Sequence, residues 1–306
     1  MAILTRAGVL TNYSEIAQQL GLNPLKMLHR VGLNKALLEQ PELRIPTTAA
    51  VRLLEDSALE SRCISFGLRM AESRQLSDFG AISLLLMHQP TLREVIRTTV
   101  QYRHLLNDAL AIHIEEVDKT VIIREEVAME TPMASRQSIE LAIGVMYRMC
   151  GALLGSFWRP RSVKFTHTAP PDLQRHRRIF HCNLEFGAEF NGIVCSAEEL
   201  NKTNPFADPA LAKFARHYID TLSADGESSI VHDVRKAIYL LLPMGRGSID
   251  HVADTLGMNM RTLQRRLEEH KETFSSLING VRRELAMRYM ANEHSSMSQI
   301  ADLLGY

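Results

Sequence analysis

Between Ser248 and His270 the chain reads SIDHVADTLGMNMRTLQRRLEEH, and this run holds the side chains best suited to chemistry with another macromolecule. Arg and Gln can each place two parallel hydrogen bonds on a base edge in the major groove, Arg on guanine and Gln on adenine. At 100° per residue, Arg261 and Arg265 project away from the stripe formed by Met260, Leu263 and Leu267. Thr262 lies beside them and Gln264 on the flank. A helix with such a face needs a brace, and Ile249 to Leu256 supplies one, apolar at Ile249, Val252, Ala253 and Leu256. Small Ala253 lets the two helices cross closely. Gly257 provides the left-handed backbone of a tight helix-ending turn, and Asn259 is a good N-cap for the second helix. The competing reading of the same arginines is a solvated face paired with Glu268 and Glu269.

Other reactive residue types form no comparable pattern. His167, His176 and His181 lie near Cys182, but no pair has the spacing of a zinc site. Cys63, Cys150, Cys182 and Cys195 are scattered without a CxxC pair, which suits reduced thiols and a cytoplasmic protein. Phosphate-cradling glycine loops, nucleophile elbows and paired-carboxylate motifs do not occur, so neither an enzyme, a metal nor a cofactor is expected. For a small-molecule pocket, Tyr102, His104, Trp158, Arg159, Arg161 and His167 are candidate lining. Trp158, the single tryptophan, stands beside two cations in Trp158-Arg159-Pro160-Arg161, and aromatic and Arg groups recur in pockets for anionic or planar ligands. The alternative places Trp158 in the core with its arginines solvated.

The composition is that of a globular protein: 306 residues, 45% hydrophobic and 23% charged, with zero formal net charge. From Ser228 onward ten Lys or Arg stand against nine Asp or Glu, so contact with nucleic acid has to come from a local patch. No apolar run approaches the ~20 residues that span a bilayer, and no membrane partner is expected.

The elements that must position these residues fall into two groups. The first hundred residues read as helices punctuated by Pro24, Pro41, Pro46 and Pro90, with clear examples over Thr47–Glu60 and Thr91–Leu106. Thr91 is the expected N-cap of the latter, Glu94 completing a capping box. Leu110–Val117 and Thr120–Val127 predict a hairpin turning at Asp118-Lys119. A long helix from about Ser135 to Leu154, a strand over Ser162–His167, a helix after Pro170-Pro171 and a strand pair around Leu184–Cys195 follow. This predicts an α+β domain, with helices on a small antiparallel sheet. Beyond Pro205 every segment is helical, giving an all-α second part. The expected division is residues 1–205, a linker helix and hinge over 206–227 with the polar run Ser223-Ala224-Asp225-Gly226, and 228–306.

The motif beginning at Val252 returns. Val252-Ala253-Asp254-Thr255-Leu256-Gly257 is echoed by Ile300-Ala301-Asp302-Leu303-Leu304-Gly305, across a helix predicted over Thr273–Met290. That helix would measure about 27 Å, comparable to the ~34 Å between successive major-groove faces, so two helix-turn-helix units could sit on one connector. A third match, Ile16-Ala17-Gln18-Gln19-Leu20-Gly21 before Asn23-Pro24, offers only Lys26, His29 and Arg30 as polar candidates and is read as structural or interacting.

These motifs carry a resemblance. Leu263-Gln264-Arg265-Arg266, then Phe274, Arg282, Leu285, Ala286 and the closing Ile300-Ala301 and Leu304-Gly305-Tyr306, resemble the DNA-binding domain of the AraC/XylS family of transcription regulators. Upstream, PELRIPTTAAVRLLE, FGLRMAESRQLSDFG, TLREVIRTTVQYRHLLNDAL, FWRPRSVKFTHTAPPDL and RIFHCNLEFGAEFNGIVC resemble the arabinose-binding-type effector domain of one subgroup. The resemblance implies a cytoplasmic activator or repressor controlled by a small molecule, often dimeric, with double-stranded DNA and RNA polymerase as partners. By position, Arg261, Gln264 and Arg265 would face DNA. Two departures stand out. Lys271 occupies a turn position where the family usually has Gly, and the chain ends at Tyr306 where a second recognition helix would begin. The rival expectation is therefore a ligand-binding and dimerisation module with little DNA affinity of its own.

Overall fold

The computed structural model describes residues 3–107, 109–129, 133–155, 158–223, 230–290 and 296–306, with their side chains except those of 104, 222, 223 and 288. The chain opens with strand β1 (Leu4–Arg6), helices α1 (Tyr13–Gln19) and α2 (Pro24–Arg30), and β2 (Arg44–Pro46), which pairs antiparallel with β1. Then come α3 (Thr47–Glu60), α4 (Phe66–Ser73), α5 (Ile82–Met87), α6 (Leu92–Gln101) and the short α7 (Arg103–Leu106). Thr91 caps α6 as expected, its side chain accepting from the Glu94 amide at 3.3 Å, but the expected capping box does not close, since the Glu94 carboxylate accepts from Arg97 at 2.9 Å instead. The expected continuous helix to Leu106 is instead broken at Tyr102, whose hydroxyl donates to Asp220 at 2.7 Å.

The hairpin forms where the alternation places it, as β3 (Leu110–Val117) and β4 (Thr120–Val127), with Asp118 at φ 54° in the turn. Helix α8 (Arg136–Leu154), β5 (Ser162–Phe165), α9 (Gln174–Phe180), β6 (Asn183–Phe186), β7 (Gly192–Ser196) and α10 (Ala197–Leu200) complete the α+β part. The sheet order is β3-β4-β7-β5-β6. This corrects the expectation of an antiparallel strand pair within 184–195: β6 and β7 flank β5 on opposite sides, and β6 runs parallel to it. Parallel neighbours need a crossover, and α9 provides it.

Helix α11 (Pro209–Ser223) leads on from the α+β part; the expected hinge lies outside the described residues beyond Ser223. Helices α12 (Ile230–Leu241), α13 (Ile249–Thr255), α14 (Met260–Glu269), α15 (Phe274–Met290) and α16 (Met297–Leu303) form the all-α part. One buried apolar cluster runs from Ile112, Val121 and Ile123 of the sheet through Val234 and Ile238 of α12 to Val252, Leu263 and Val281. A second cluster, around Tyr13, Leu28, Leu53 and Phe66, holds the N-terminal helices together. Among the described residues no helix is long and apolar enough to cross a membrane.

Candidate nucleic-acid interface and effector cavity

Helices α13 and α14 form the expected bracketed pair. Val252 and Ala253 of α13 and Leu263 and Leu267 of α14 are buried. Gly257 turns the chain at φ 67°, and the Met258 amide donates back to the Ala253 carbonyl at 2.9 Å, closing the helix end. Asn259 then caps α14, its side-chain oxygen accepting from the Thr262 amide at 2.8 Å. With one face so committed, Arg261, Gln264, Arg265 and Arg266 are left exposed and Thr262 half-buried. The alternative pairing with acids is realised weakly: Arg265 lies 3.5 Å from Glu269, with both side chains more than half exposed.

Lys271 takes the left-handed conformation at φ 57°, and the Glu272 amide reaches the Leu267 carbonyl at 3.0 Å to close α14. A side chain there strains the backbone where glycine would not. Lys271→Gly is therefore expected to stabilise the fold by about 0.5–1 kcal/mol, read as a shifted midpoint in urea unfolding; no shift would mean that the turn is not strained. The same corner recurs at Gly305, φ 70°, and at Gly21, φ 79°, where Asn23 caps α2. On α2, however, Arg30 is paired with Glu60, and Met27 and Leu28 are buried in the N-terminal core.

The residues expected to line a ligand pocket are spread over separate places. Trp158 is buried against Tyr147, ring centroids 5.0 Å apart, while Arg159 and Arg161 are exposed, the latter donating to Thr120 at 3.0 Å. Tyr102 is buried and tied to α11 through Asp220. His104 lies outside the described side chains. His167 joins a buried network centred on Glu140, whose Oε1 accepts from Arg136 at 2.8 Å and lies 3.1 Å from His176 and 3.4 Å from His167. Burial alone would push the Glu140 carboxyl up, but the His176 hydrogen bond and the Arg136 charge outweigh it and hold it below its ordinary value. This network fastens α8 to α9 and β5. Among the described residues no group of three or more His, Cys, Asp or Glu is arranged to hold a metal ion.

A cavity of about 140 Å³ lies elsewhere, among β1, α3, α8 and the β3–β4 hairpin. Apolar side chains make most of its wall, including Val51 and Leu54 of α3, Ile112 of β3 and Leu141, Met146 and Met149 of α8. Glu125 of β4 also lines it, directly opposite Ile112 in the strand register. Its relative exposure is 0%, and neither carboxyl oxygen has a hydrogen-bond partner among the described residues. Burial in apolar surroundings raises its pKa to about 8. Arg6, Arg74 and Arg103 line the same cavity. Their terminal nitrogens are engaged: Arg6 by Glu42 and the Leu105 carbonyl, Arg74 by the Gly8 and Val9 carbonyls, Arg103 by the Val100 carbonyl and Asp233.

Residues 21–204 match the family model described as the arabinose-binding domain of AraC transcription regulator, N-terminal. The chain belongs to this family. It is 29% identical to the HTH-type transcriptional regulator VirS of Mycobacterium tuberculosis, over 99% of this chain and 90% of that one. Similarity extends to two Pseudomonas aeruginosa proteins. The HTH-type transcriptional regulator VqsM is 26% identical over 88% of this chain and 87% of its own, and the ornithine utilization regulator 22% identical over 79% and 72%. The crystal structure of the transcriptional regulator CdpR from the same organism superposes with a TM-score of 0.47 at 20% identity, covering 92% of this chain and 89% of that one. This AraC-family protein is a DNA-binding transcription regulator under the control of an effector.

In this AraC-type regulator α12 lies between the cavity and the α13–α14 pair. It packs on β3 and β4 on one side and on α13, α14 and α15 on others. Arg103, which lines the cavity, donates to Asp233 of α12 at 2.7 Å. Two residues on, Arg235 donates to Glu284 of α15 at 2.8 Å and to the Met129 carbonyl at 3.2 Å. The Arg103–Asp233 pair is mostly buried, so a double-mutant cycle with Arg103→Ala and Asp233→Asn is expected to show coupling of about 1–2 kcal/mol in unfolding free energy. Additive single effects would remove this pair from the connection. Sequence reasoning missed both Arg103 and Glu125, although Glu125 carried a signal: it stands on the same strand face as buried Val121, Ile123 and Val127.

Proposed function

We propose that α14 enters the major groove and reads base edges through Arg261, Thr262, Gln264 and Arg265, with Asn259 at the helix start. The observation that carries this reading is the presentation of those side chains: the opposite face of the helix is anchored by buried Leu263 and Leu267, and the guanidinium groups point to solvent rather than into the α+β part. The cavity bounded by α3, α8 and the β3–β4 hairpin takes the effector. The working division is an effector part over 1–205, a connector over 206–227 and a reader over 228–306. An effector that binds two arrangements of α12 unequally shifts the population competent for DNA, and Arg103 to Asp233 is the polar link in that route.

The regulator works as a homodimer in the cytoplasm, acting on promoter DNA beside RNA polymerase, and catalyses no reaction. A dimer is supported by α11, whose outer face exposes Leu211, Phe214 and Tyr218 at i, i+3 and i+7 while Ala215 and Ile219 are buried. The test is anisotropy of a fluorescent duplex carrying the promoter region beside the protein's own gene, titrated with the full chain at several salt concentrations. Saturable binding that exceeds binding to a scrambled duplex, and weakens log-linearly with salt, is the expected result. Equal affinity for both duplexes would favour a ligand-binding and dimerisation module instead.

A further inference from the structure

The cavity tells more about its occupant than its position does. Fully buried carboxyl groups normally have hydrogen-bond partners, because leaving a buried polar group unpaired costs about 1–3 kcal/mol. Glu125 has none on either oxygen among the described residues, and it lines a cavity whose wall is otherwise mostly apolar. Three further buried groups of the lining are donors without a hydrogen-bond partner among the described residues, the Nε of Arg6, the Nε of Arg74 and the Thr47 hydroxyl. We propose that Glu125 is the polar anchor of the effector site, donating its carboxyl O–H to a carbonyl oxygen of a compact, otherwise apolar effector. This rests on the cavity being the effector site, as proposed above.

The alternative chemistry, an amine-bearing effector paired with an ionised Glu125, is disfavoured by desolvation. It requires two ions to leave water for a mostly apolar wall, where their attraction repays the cost only with further hydrogen bonds to both. The described residues give the Glu125 carboxylate none. The three guanidinium groups of the lining do not decide the matter, since Glu42 and Asp233 pair with two of them and Asp78 shares the wall with Arg74. A neutral carboxyl facing a neutral carbonyl avoids that desolvation. With burial holding its pKa near 8, Glu125 carries the required proton at neutral pH. The size agrees: 140 Å³ is close to the roughly 150 Å³ of an engineered apolar cavity that accepts a single six-membered ring.

Three probes of one shape separate the possibilities: cyclohexyl methyl ketone, ethylcyclohexane and 1-cyclohexylethylamine, each titrated into the full chain at pH 6.5 by calorimetry and thermal shift. The ketone is expected to bind about tenfold more tightly than either of the others. Glu125→Gln, whose amide still donates, should keep that preference, and Glu125→Met, which fills similar volume without a donor, should abolish it. Above pH 8 the preference should fade in the wild type and persist in Glu125→Gln. Cys150 of α8 lies close enough to interact with Glu125, and Arg6, Arg74, Asp78 and Arg103 line the cavity; the Gln variant retains all five and so isolates Glu125. A preference for the amine, or one that survives in Glu125→Met, would overturn the assignment while leaving the cavity a ligand site. Failure of all three probes to bind would overturn the cavity reading and this inference with it.

Discussion

Replacing Arg261 and Arg265 together with alanine is expected to lower affinity for the specific duplex by on the order of 100-fold or more, far more than affinity for a scrambled one, while leaving stability nearly unchanged. Each bidentate Arg contact to guanine is worth about 1–3 kcal/mol of discrimination, and the two side chains stand one helical turn apart on the exposed face of α14. Neither is part of the core. The ion pair that Arg265 makes, with Glu269, is exposed on both sides, so its loss costs the fold little. Arg266 offers a contrast: it is exposed in the same helix but lies outside the proposed reading set, and Arg266→Ala should reduce binding to specific and scrambled duplexes alike. Equal losses for all three substitutions would reduce α14 to a general electrostatic contact.

The second large effect lies in the other half of the molecule. Glu125→Gln is expected to make the protein more stable than wild type at pH 8.5, by on the order of 5 kcal/mol at most, and to leave it nearly unchanged at pH 4.5. The sign follows from proton binding. Burial raises the pKa of Glu125 in the folded state from 4.5 to about 8, so between those values the folded chain holds a proton that the unfolded chain releases. Raising the pH through that window therefore favours unfolding, and the associated stability, complete below about pH 4.5, is gone above about pH 8. A glutamine of the same shape has no proton to lose. Urea midpoints measured at several pH values for both proteins should diverge as pH rises; parallel curves would show that Glu125 has a partner or water that keeps its pKa ordinary.

What could be read from the sequence was the local part. The hairpin over Leu110–Val127 formed over the expected strands, because β-branched runs on either side of a two-residue turn leave one register that keeps Val121 and Ile123 inside. The α13–α14 corner was legible for the same reason: Gly257 and Asn259 act on their own neighbours. Pairing between distant strands was not. Asn183–Phe186 and Gly192–Ser196 look like hairpin partners, and only the α9 crossover, which brings β6 parallel to β5, decides otherwise. Of the six residues expected to line a ligand pocket, Trp158 shows the difficulty. A tryptophan followed by two arginines is equally well a core residue whose neighbours point to water, and its contact with Tyr147 and the exposure of Arg159 and Arg161 give that arrangement. Polar and aromatic richness marked these residues out, whereas the observed cavity is walled mainly by aliphatic side chains, which every core contains.

The measurement that bears most directly on the central claim is methylation interference on the promoter duplex. Methylation of guanine N7 blocks the major-groove edge that an arginine would read and leaves the minor groove alone. Modified guanines within the bound site should exclude the wild-type regulator, and Arg265→Ala should become indifferent to one of them while remaining sensitive to the rest. Binding unaffected by N7 methylation, or an interference pattern identical in wild type and Arg265→Ala, would contradict recognition through this face of α14.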